Sequence, residues 1–400
     1  MNADPTRSPS TITRRTALAG LGAAGVGLAL AAVRPAAAQD ATPAPSAATP
    51  ATTPNERGMV SDLVPVGDMP SVTYQGEVAS LDTNPIPIFV SSSQDLVAKP
   101  GSSSDSWYLI SHLETSRGTL DVQLHLIHRV PPVGGPGALA VSASVLDSST
   151  GRYVSEEQDF PGDQCSFSTE TCEVISPIAT IRGDAQALNF RGTWSTAGIA
   201  CDITVAQAGP MLANAGTGLF PFLGGITYEY ALPTMTTTGT VTIAGETVEV
   251  NGNSWLDRQW SDASRFAAQA SMRWVWLGVS LDNGIRISLW DLIEADRRHR
   301  FATILHPNGA HEVVTVEPTV EKATRLWKSP ETGHVYPTRW DVRMPQIDSQ
   351  LSIKPDVITQ EFKSPDGVLH RYEAAAPVTG TLHGEPVNGY TTIELVGAWV

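Results

Sequence analysis

The chain has 400 residues, 41% of them hydrophobic and 17% charged, with 41 Asp and Glu against 26 Lys and Arg and a formal net charge of −15. That balance argues against nucleic acid and anionic membrane surfaces as partners, since both are held through clustered Lys and Arg. Set beside the polar N-terminal stretch, the remaining length suits two domains or one large β-domain.

The first elements in chain order are not globular. In "STITRRTALAGLGAAGVGLALAAVRPAAAQD" the pair Arg14-Arg15 precedes an apolar Gly/Ala-rich run, and Ala36-Ala37-Ala38 fits the small-residue cleavage rule. Residues 1–38 therefore read as a twin-arginine export signal, with Gln39 as the mature N-terminus and a periplasmic, extracellular or cell-surface destination. Retention of the run as a membrane anchor is the competing reading, weakened by its shortness and its Gly/Ala composition. Removal of the signal takes Arg7, Arg14, Arg15, Arg34 and Asp4 away and moves the net charge to about −18. Residues 39–58, rich in Pro, Ala and Thr, have too few large apolar side chains to bury and read as a disordered linker.

From residue 59 on, short alternating runs with Gly or Pro punctuation dominate: "SWYLISHLE", "LDVQLHLIHRV", "ALAVSASVLD", "TVTIAGETVEV", "RWVWLGVSL", "GIRISLWDLI" and "TTIELVGAWV". These predict antiparallel strands in a sandwich or barrel. Residues 240–257 and 377–395 echo one another, each running strand, Gly-Glu turn, Val, Asn-Gly and a strand carrying an acid. The echo divides the chain into two related β-domains, 59–262 and 263–400, with "ASRFAAQAS" as a connector or short helix.

Three cysteines fall in the first domain. In an exported protein, Cys165 and Cys172, which flank the short polar loop "CSFSTETC", are expected to form a disulfide and Cys201 to stay buried and inert. His125 and His128 lie three apart on a predicted strand, hence on opposite faces, and no metal or cofactor is expected. The sequence lacks a G-x-S-x-G elbow, an H-E-x-x-H pair and a glycine-rich phosphate loop.

Residues 251–262, "NGNSWLDRQWSD", put Asp257 and Arg258 side by side on opposite strand faces, between Trp255 and Trp260. Tryptophans in such a place are more often core plugs than ligand contacts. In "MRWVWLGVSLDNGIRISLWDLI", Asn283-Gly284 predicts a two-residue type I′ loop. That loop sets Trp276 opposite Asp291, Trp274 opposite Ile293 and Gly278 opposite Leu289, so that one carboxyl lies on an apolar, aromatic face. Such an acid is either a proton donor with a raised pKa or an ionised partner of an arginine or indole.

"VNGNSWLDRQWSD", "RWVWLGVSLDNGIRISLWDLIEAD" and the ending "YEAAAPVTGTLHGEPVNGYTTIELVGAW" resemble the superfamily of AttH-like proteins and carotenoid 1,2-hydratases (hydroxyneurosporene synthases), often labelled secreted hydrolases. The resemblance implies two tandem lipocalin-like β-barrels and acid-catalysed hydration, isomerisation or cyclisation of a hydrophobic isoprenoid, polyene or lipid-like molecule. The family's W-x-D-H-x-W motif matches at Asp257 and Trp260, but its histidine is Arg258 here, which cannot shuttle protons. On this reading the catalytic residues are Asp291, the proton donor, and Asp257, which with Arg258 orders water or a polar headgroup, and Trp260, Trp274, Trp276, Arg258 and Leu289 line the substrate site. A non-catalytic carrier of a hydrophobic ligand is the alternative. The expected partner is that small molecule alone, with the chain a monomer.

Overall fold

The computed structural model describes residues 72–75 and 87–397, apart from 131–136, 185–188, 197, 223, 262–272, 295–296 and 365–369. The expected export signal, the whole of the linker, the connector after Ser261 and the boundary at 262 lie outside the described residues.

The strands before that connector are β1 (Val72–Gln75), β2 (Ser104–Thr115), β3 (Gly118–Arg129), β4 (Ala138–Asp147), β5 (Arg152–Pro161), β6 (Ser166–Phe167), β7 (Cys172–Ile175), β8 (Ala179–Asp184), β9 (Asn189–Ser195), β10 (Ile199–Gln207), β11 (Leu212–Ala213), β12 (Leu219–Phe222), β13 (Gly225–Ile243) and β14 (Glu246–Ser261). After it come β15 (Arg273–Leu281), β16 (Arg286–Glu294), β17 (Arg297–Leu305), β18 (Ala310–Thr315), β19 (Arg325–Lys328), β20 (Val335–Met344), β21 (Ser349–Ile353), β22 (Glu361–Phe362), β23 (Arg371–Leu382) and β24 (Glu385–Val396). Helix among the described residues is confined to single 3-10 turns such as Gly162–Gln164. No helix among them is long and apolar enough to cross a membrane.

Two antiparallel sheets result. A 13-stranded sheet runs β5-β4-β3-β2-β14-β13-β10-β9-β8-β7-β6, with β11 and β12 also paired to β13, and an 11-stranded one runs β1-β18-β17-β16-β15-β24-β23-β21-β20-β19, with β22 also paired to β23. In each, the last strand returns beside the first of a meander: β14 pairs with β2 and β24 with β15. The all-β, two-barrel expectation holds, with one difference. Strand β1, which the division at 262 assigns to the first domain, pairs with β18 of the second sheet.

Both faces of the central strands are covered, so β2 reads as a nearly continuous apolar run rather than a clean alternation. Trp107 and Leu109 point into the first core, with Leu124, Val141 and Ile203. Tyr108 and Ile110, the alternate set, point the other way and join Trp255, Trp276, Trp290 and Phe301 in an aromatic layer between the sheets. The second sheet wraps a core of its own around Val275, Leu277, Leu289 and Trp340.

The echoed segments form equivalent hairpins. Ala244-Gly245 and His383-Gly384 are the two-residue loops, with φ of 56° and 79° in one and 53° and 76° in the other, as a type I′ turn requires. Beyond each comes a glycine where the neighbouring strand approaches closely. A Cβ at Gly252 would lie 2.3 Å from the His112 carbonyl oxygen, and one at Gly389 would lie 2.1 Å from that of Ser280.

Two local expectations are overturned. At Asn283-Gly284 only Gly284 has positive φ, at 87°. The Leu281 N–H bonds to the Ile285 carbonyl at 3.0 Å, so the loop has three residues, Asp282 to Gly284. A one-residue slip exchanges the faces of a strand. Trp276 consequently lies opposite Trp290, and Asp291 opposite Val275. The expected disulfide is also absent, since Cys165, Cys172 and Cys201 are all free thiols. The β6–β7 pairing explains why: Ser166 faces Ile175 and Phe167 faces Val174, which carries Cys165 past the end of the pair and away from Cys172.

Candidate active site between the sheets

The register of β14 and β24 builds the site. Asp257 lies opposite Tyr108 on β2 and Ala231 on β13. Glu394 lies opposite Trp276 on β15 and Glu373 on β23. In the echoed hairpins, Asp257 and Glu394 occupy the same place, six residues beyond Asn251 and Asn388 respectively. Counterparts meet across the gap: the Asn253 amide donates to the Tyr390 hydroxyl at 3.1 Å, and the rings of Tyr108 and Trp276 stand 6.0 Å apart. The two hairpins thus approach one another reciprocally, each laying its acid against the other's.

All three inner carboxyls are buried, and each has its own donors. The Trp255 indole donates to Asp257 at 2.7 Å and the Trp274 indole to Glu394 at 2.5 Å. Glu229 accepts from Asn214 at 2.9 Å and from Gln259 at 2.7 Å. Burial dominates their acidity. It raises Asp257 well above the ordinary aspartate range, and the charge of Glu394 adds to the effect while the Trp255 indole opposes it. Burial likewise raises Glu229, with Asp257 adding. Glu394 is pushed up to about 7 by burial and then by Glu373, against the pull of the Trp274 indole and Arg371.

Behind them lies one cation. Arg371 pairs with Glu373 and, at 2.7 Å, with Glu157 from the first sheet. The Tyr108 hydroxyl reaches Glu373 at 3.4 Å, and its ring stacks on His125 at 4.3 Å. Burial, then Arg371 and Arg129, lower the His125 pKa well below its usual value, so this imidazole is neutral at neutral pH. The walls are aromatic: Trp255 meets Trp276 edge to face at 6.0 Å, and Phe222 packs on Trp274 and Trp290. Beside Trp255 the sheets part in a narrow cleft lined by Ser111, Asn253, Gly278, Ser280 and Tyr390. A larger cleft of about 380 Å³ lies along Ala179, Trp194, Cys201 and Thr240, and shares no residue with this site.

Of the residues expected from sequence, Asp257, Trp274 and Trp276 come together here. Asp291, Leu289, Arg258 and Trp260 do not. Asp291 is buried in the second barrel, where it accepts from Arg298 Nε and Nη2 at 2.6 Å each and from the Thr319 hydroxyl and N–H at 2.7 and 2.9 Å. With four bonds to its carboxylate it is a structural anchor, and Leu289 belongs to the core of the same barrel. Arg258 faces the interior of the first barrel. It pairs with Asp105 at 2.5 Å, donates to the Val97 carbonyl at 2.7 Å and lies over the Trp107 and Trp260 rings. The arginine that replaces the family histidine therefore points away from the acids, since adjacent strand residues take opposite faces. Glu394, Glu229, Glu373, Tyr108 and His125 were not anticipated. The signal for Glu394 was present in the echo, at the position that matches Asp257.

The arrangement can hold a proton near neutral pH in an aromatic, largely dry layer, which is the setting of a general acid. Known proteins agree with the architecture. The chain is 32% identical over 206 residues to kievitone hydratase of Fusarium solani subsp. phaseoli, a match covering 49% of this chain and 56% of that protein. The fold superposes on the kievitone hydratase structure from Nectria haematococca with TM-score 0.68 and 23% identity, over 82% of this chain and 98% of that one. It superposes on an AttH protein of Nitrosomonas europaea with TM-score 0.66 and 20% identity, over 78% of this chain and all of that one. Residues 87–398 match the AttH-like family, a span that holds every described strand except β1, and the chain belongs to that family.

Proposed function

We propose that the chain is a hydratase-type enzyme that adds water across a carbon–carbon double bond of an apolar, isoprenoid or polyene-like molecule bound between the two sheets. The observation that carries this reading is Glu394, a buried carboxyl pushed up to about 7 by burial and by the neighbouring Glu373, bonded to the Trp274 indole and paired across the strands with Trp276. Glu394 donates its proton to one alkene carbon, the π-faces of Trp276 and Trp274 hold the cation that forms on the other, and water adds to that cation. The added water then returns one proton to the carboxyl cluster, so no other reactant is consumed. The name of the partly matching relative, a hydratase, supports the reaction class. Export by the twin-arginine route, on the strength of Arg14-Arg15 and Ala36-Ala37-Ala38, belongs to the same proposal.

The test is incubation of the purified chain with a panel of isoprenoid and polyene olefins in ¹⁸O-water, read by mass spectrometry. The expected product carries one labelled water, and Glu394→Gln and Asp257→Asn abolish its formation while retaining ligand binding. Saturable binding of an olefin with no labelled product from any member of the panel would establish a carrier instead.

A further inference from the structure

At one end of the second barrel, two turns and a strand bring together side chains with metal-binding chemistry that the acid site does not use. His306 ends the run of β17 at the turn into β18, Glu312 stands on β18, and His383 is the first loop residue of the β23–β24 hairpin. One carboxylate oxygen, Glu312 Oε1, lies 2.7 Å from His306 Nε2 and 3.3 Å from His383 Nε2. One ligand atom from each residue falls within 4.8 Å of the other two. The imidazoles lie at a shallow mutual angle, 6.3 Å between centroids.

From these positions we infer that His306, Glu312 and His383 form a site for a divalent transition-metal ion of the zinc class. Two imidazoles and one carboxylate are a donor set that zinc and its neighbours accept, with a fourth position left to water. Atoms about 2.0–2.1 Å from a tetrahedral ion stand about 3.3 Å from one another. The His383–Glu312 pair already has that separation, and the His306–Glu312 pair needs to open by about half an ångström. The ligands are unequally placed: the Glu312 side chain is only 12% exposed, whereas that of His383 is 40% exposed, which leaves a side open for entry and for the water. The turn carrying His306 is held independently of any ion, its N–H bonding to the Ala310 carbonyl and the Gly309 N–H to its own carbonyl.

The ion would act as a clip. In the sheet order β17 and β18 are separated from β23 by β16, β15 and β24, so a bond from His306 and Glu312 to His383 ties the curled sheet across its open end. No residue of the acid site takes part, and the inference stands whatever reaction that site performs.

The experiment is calorimetric titration of Zn²⁺ into the untagged, chelator-treated full chain, with circular dichroism verifying the fold of each variant. Expected are one ion per chain and a raised melting temperature on binding. His383→Gln and His306→Gln should each weaken binding at least about tenfold, because each removes one of the ligands on which affinity rests. His370→Gln, whose imidazole accepts from the Ser364 N–H outside the cluster, should leave it unchanged. Cobalt(II) in place of zinc should show the visible absorption of a tetrahedral ion, lost in Glu312→Gln. Absence of saturable binding overturns the inference. Binding that the His306 and His383 variants leave unaltered overturns it equally, and shows the three side chains to be a hydrogen-bonded group only.

Discussion

Replacement of Glu394 by Gln separates acidity from shape. The amide keeps an oxygen for the Trp274 indole, yet it has no proton to lose in the working range. In the folded chain this carboxyl titrates at about 7 against an ordinary value of 4.5. Because the folded state holds the proton more tightly than the unfolded state does, ionisation works against folding. Below about pH 4.5 the effect vanishes, it grows as pH rises toward 7, and above 7 it is constant. At about 1.36 kcal/mol per pH unit, the full cost to the native protein comes to about 3 kcal/mol. The Gln variant never incurs that cost. It should match the native chain near pH 4.5 and exceed it in stability by up to about 3 kcal/mol at pH 8, the realised gain being smaller insofar as Asp257 and Glu229 share the titration. Urea unfolding of both proteins across this range measures the difference, and a parallel turnover assay should show the variant inactive. A stability gap independent of pH, or a variant weaker than the native chain at pH 8, would refute the account of Glu394 as a carboxyl strained by burial.

The same titration predicts that turnover of the native protein falls as pH rises through about 7, since the ionised carboxyl has no proton to give; a rate that climbs across this window contradicts the assignment. Asp291→Asn should cost about 3 kcal/mol or more in unfolding measurements by leaving the Arg298 guanidinium poorly matched in the interior, with turnover per folded molecule kept, whereas loss of turnover without loss of stability would restore Asp291 to the chemistry. Burial pushes the Cys172 thiol up to about 12, and Cys201 is raised as well, so alkylation at mildly alkaline pH should modify the half-buried Cys165 first; a Cys165–Cys172 crosslink in non-reducing peptide maps would contradict the free thiols.

What could be read in the sequence was what depends on local pattern. Alternation and turn residues disclosed the strands, and the repeated Gly-Glu and Asn-Gly signals disclosed two equivalent hairpins. Asp257 and the indoles of Trp274 and Trp276 stood out because several rare residue types crowd together there. Register was the weak point. Asn283-Gly284 suits either a two-residue loop or a three-residue loop ending in a left-handed glycine, and the choice moved Asp291 from the aromatic layer into the second barrel. Glu229, Glu373 and Glu394 escaped notice because each is a single acid in an otherwise ordinary strand. Strand register brings Glu373 and Glu394 together, and only the packing of sheet upon sheet brings Glu229 to them. The cysteines misled for a related reason, since closeness in sequence says little once a hairpin fixes which residues face each other.

The reciprocal approach of the two hairpins bears on regiochemistry. Identical halves facing one another would offer an unsymmetrical olefin two indistinguishable orientations, and protonation would follow the olefin's own preference. Here equivalent positions have diverged: Asp257 has Ala231 and Tyr108 as strand neighbours, while Glu394 has Glu373 and Trp276. One half of the acid site therefore carries a phenol and a methyl group, and the other an indole and a second carboxyl anchored to Arg371. Under the proposed hydratase reading, an olefin lying along the line between the halves would meet chemically different ends, and the protein rather than the olefin would select which carbon receives the proton.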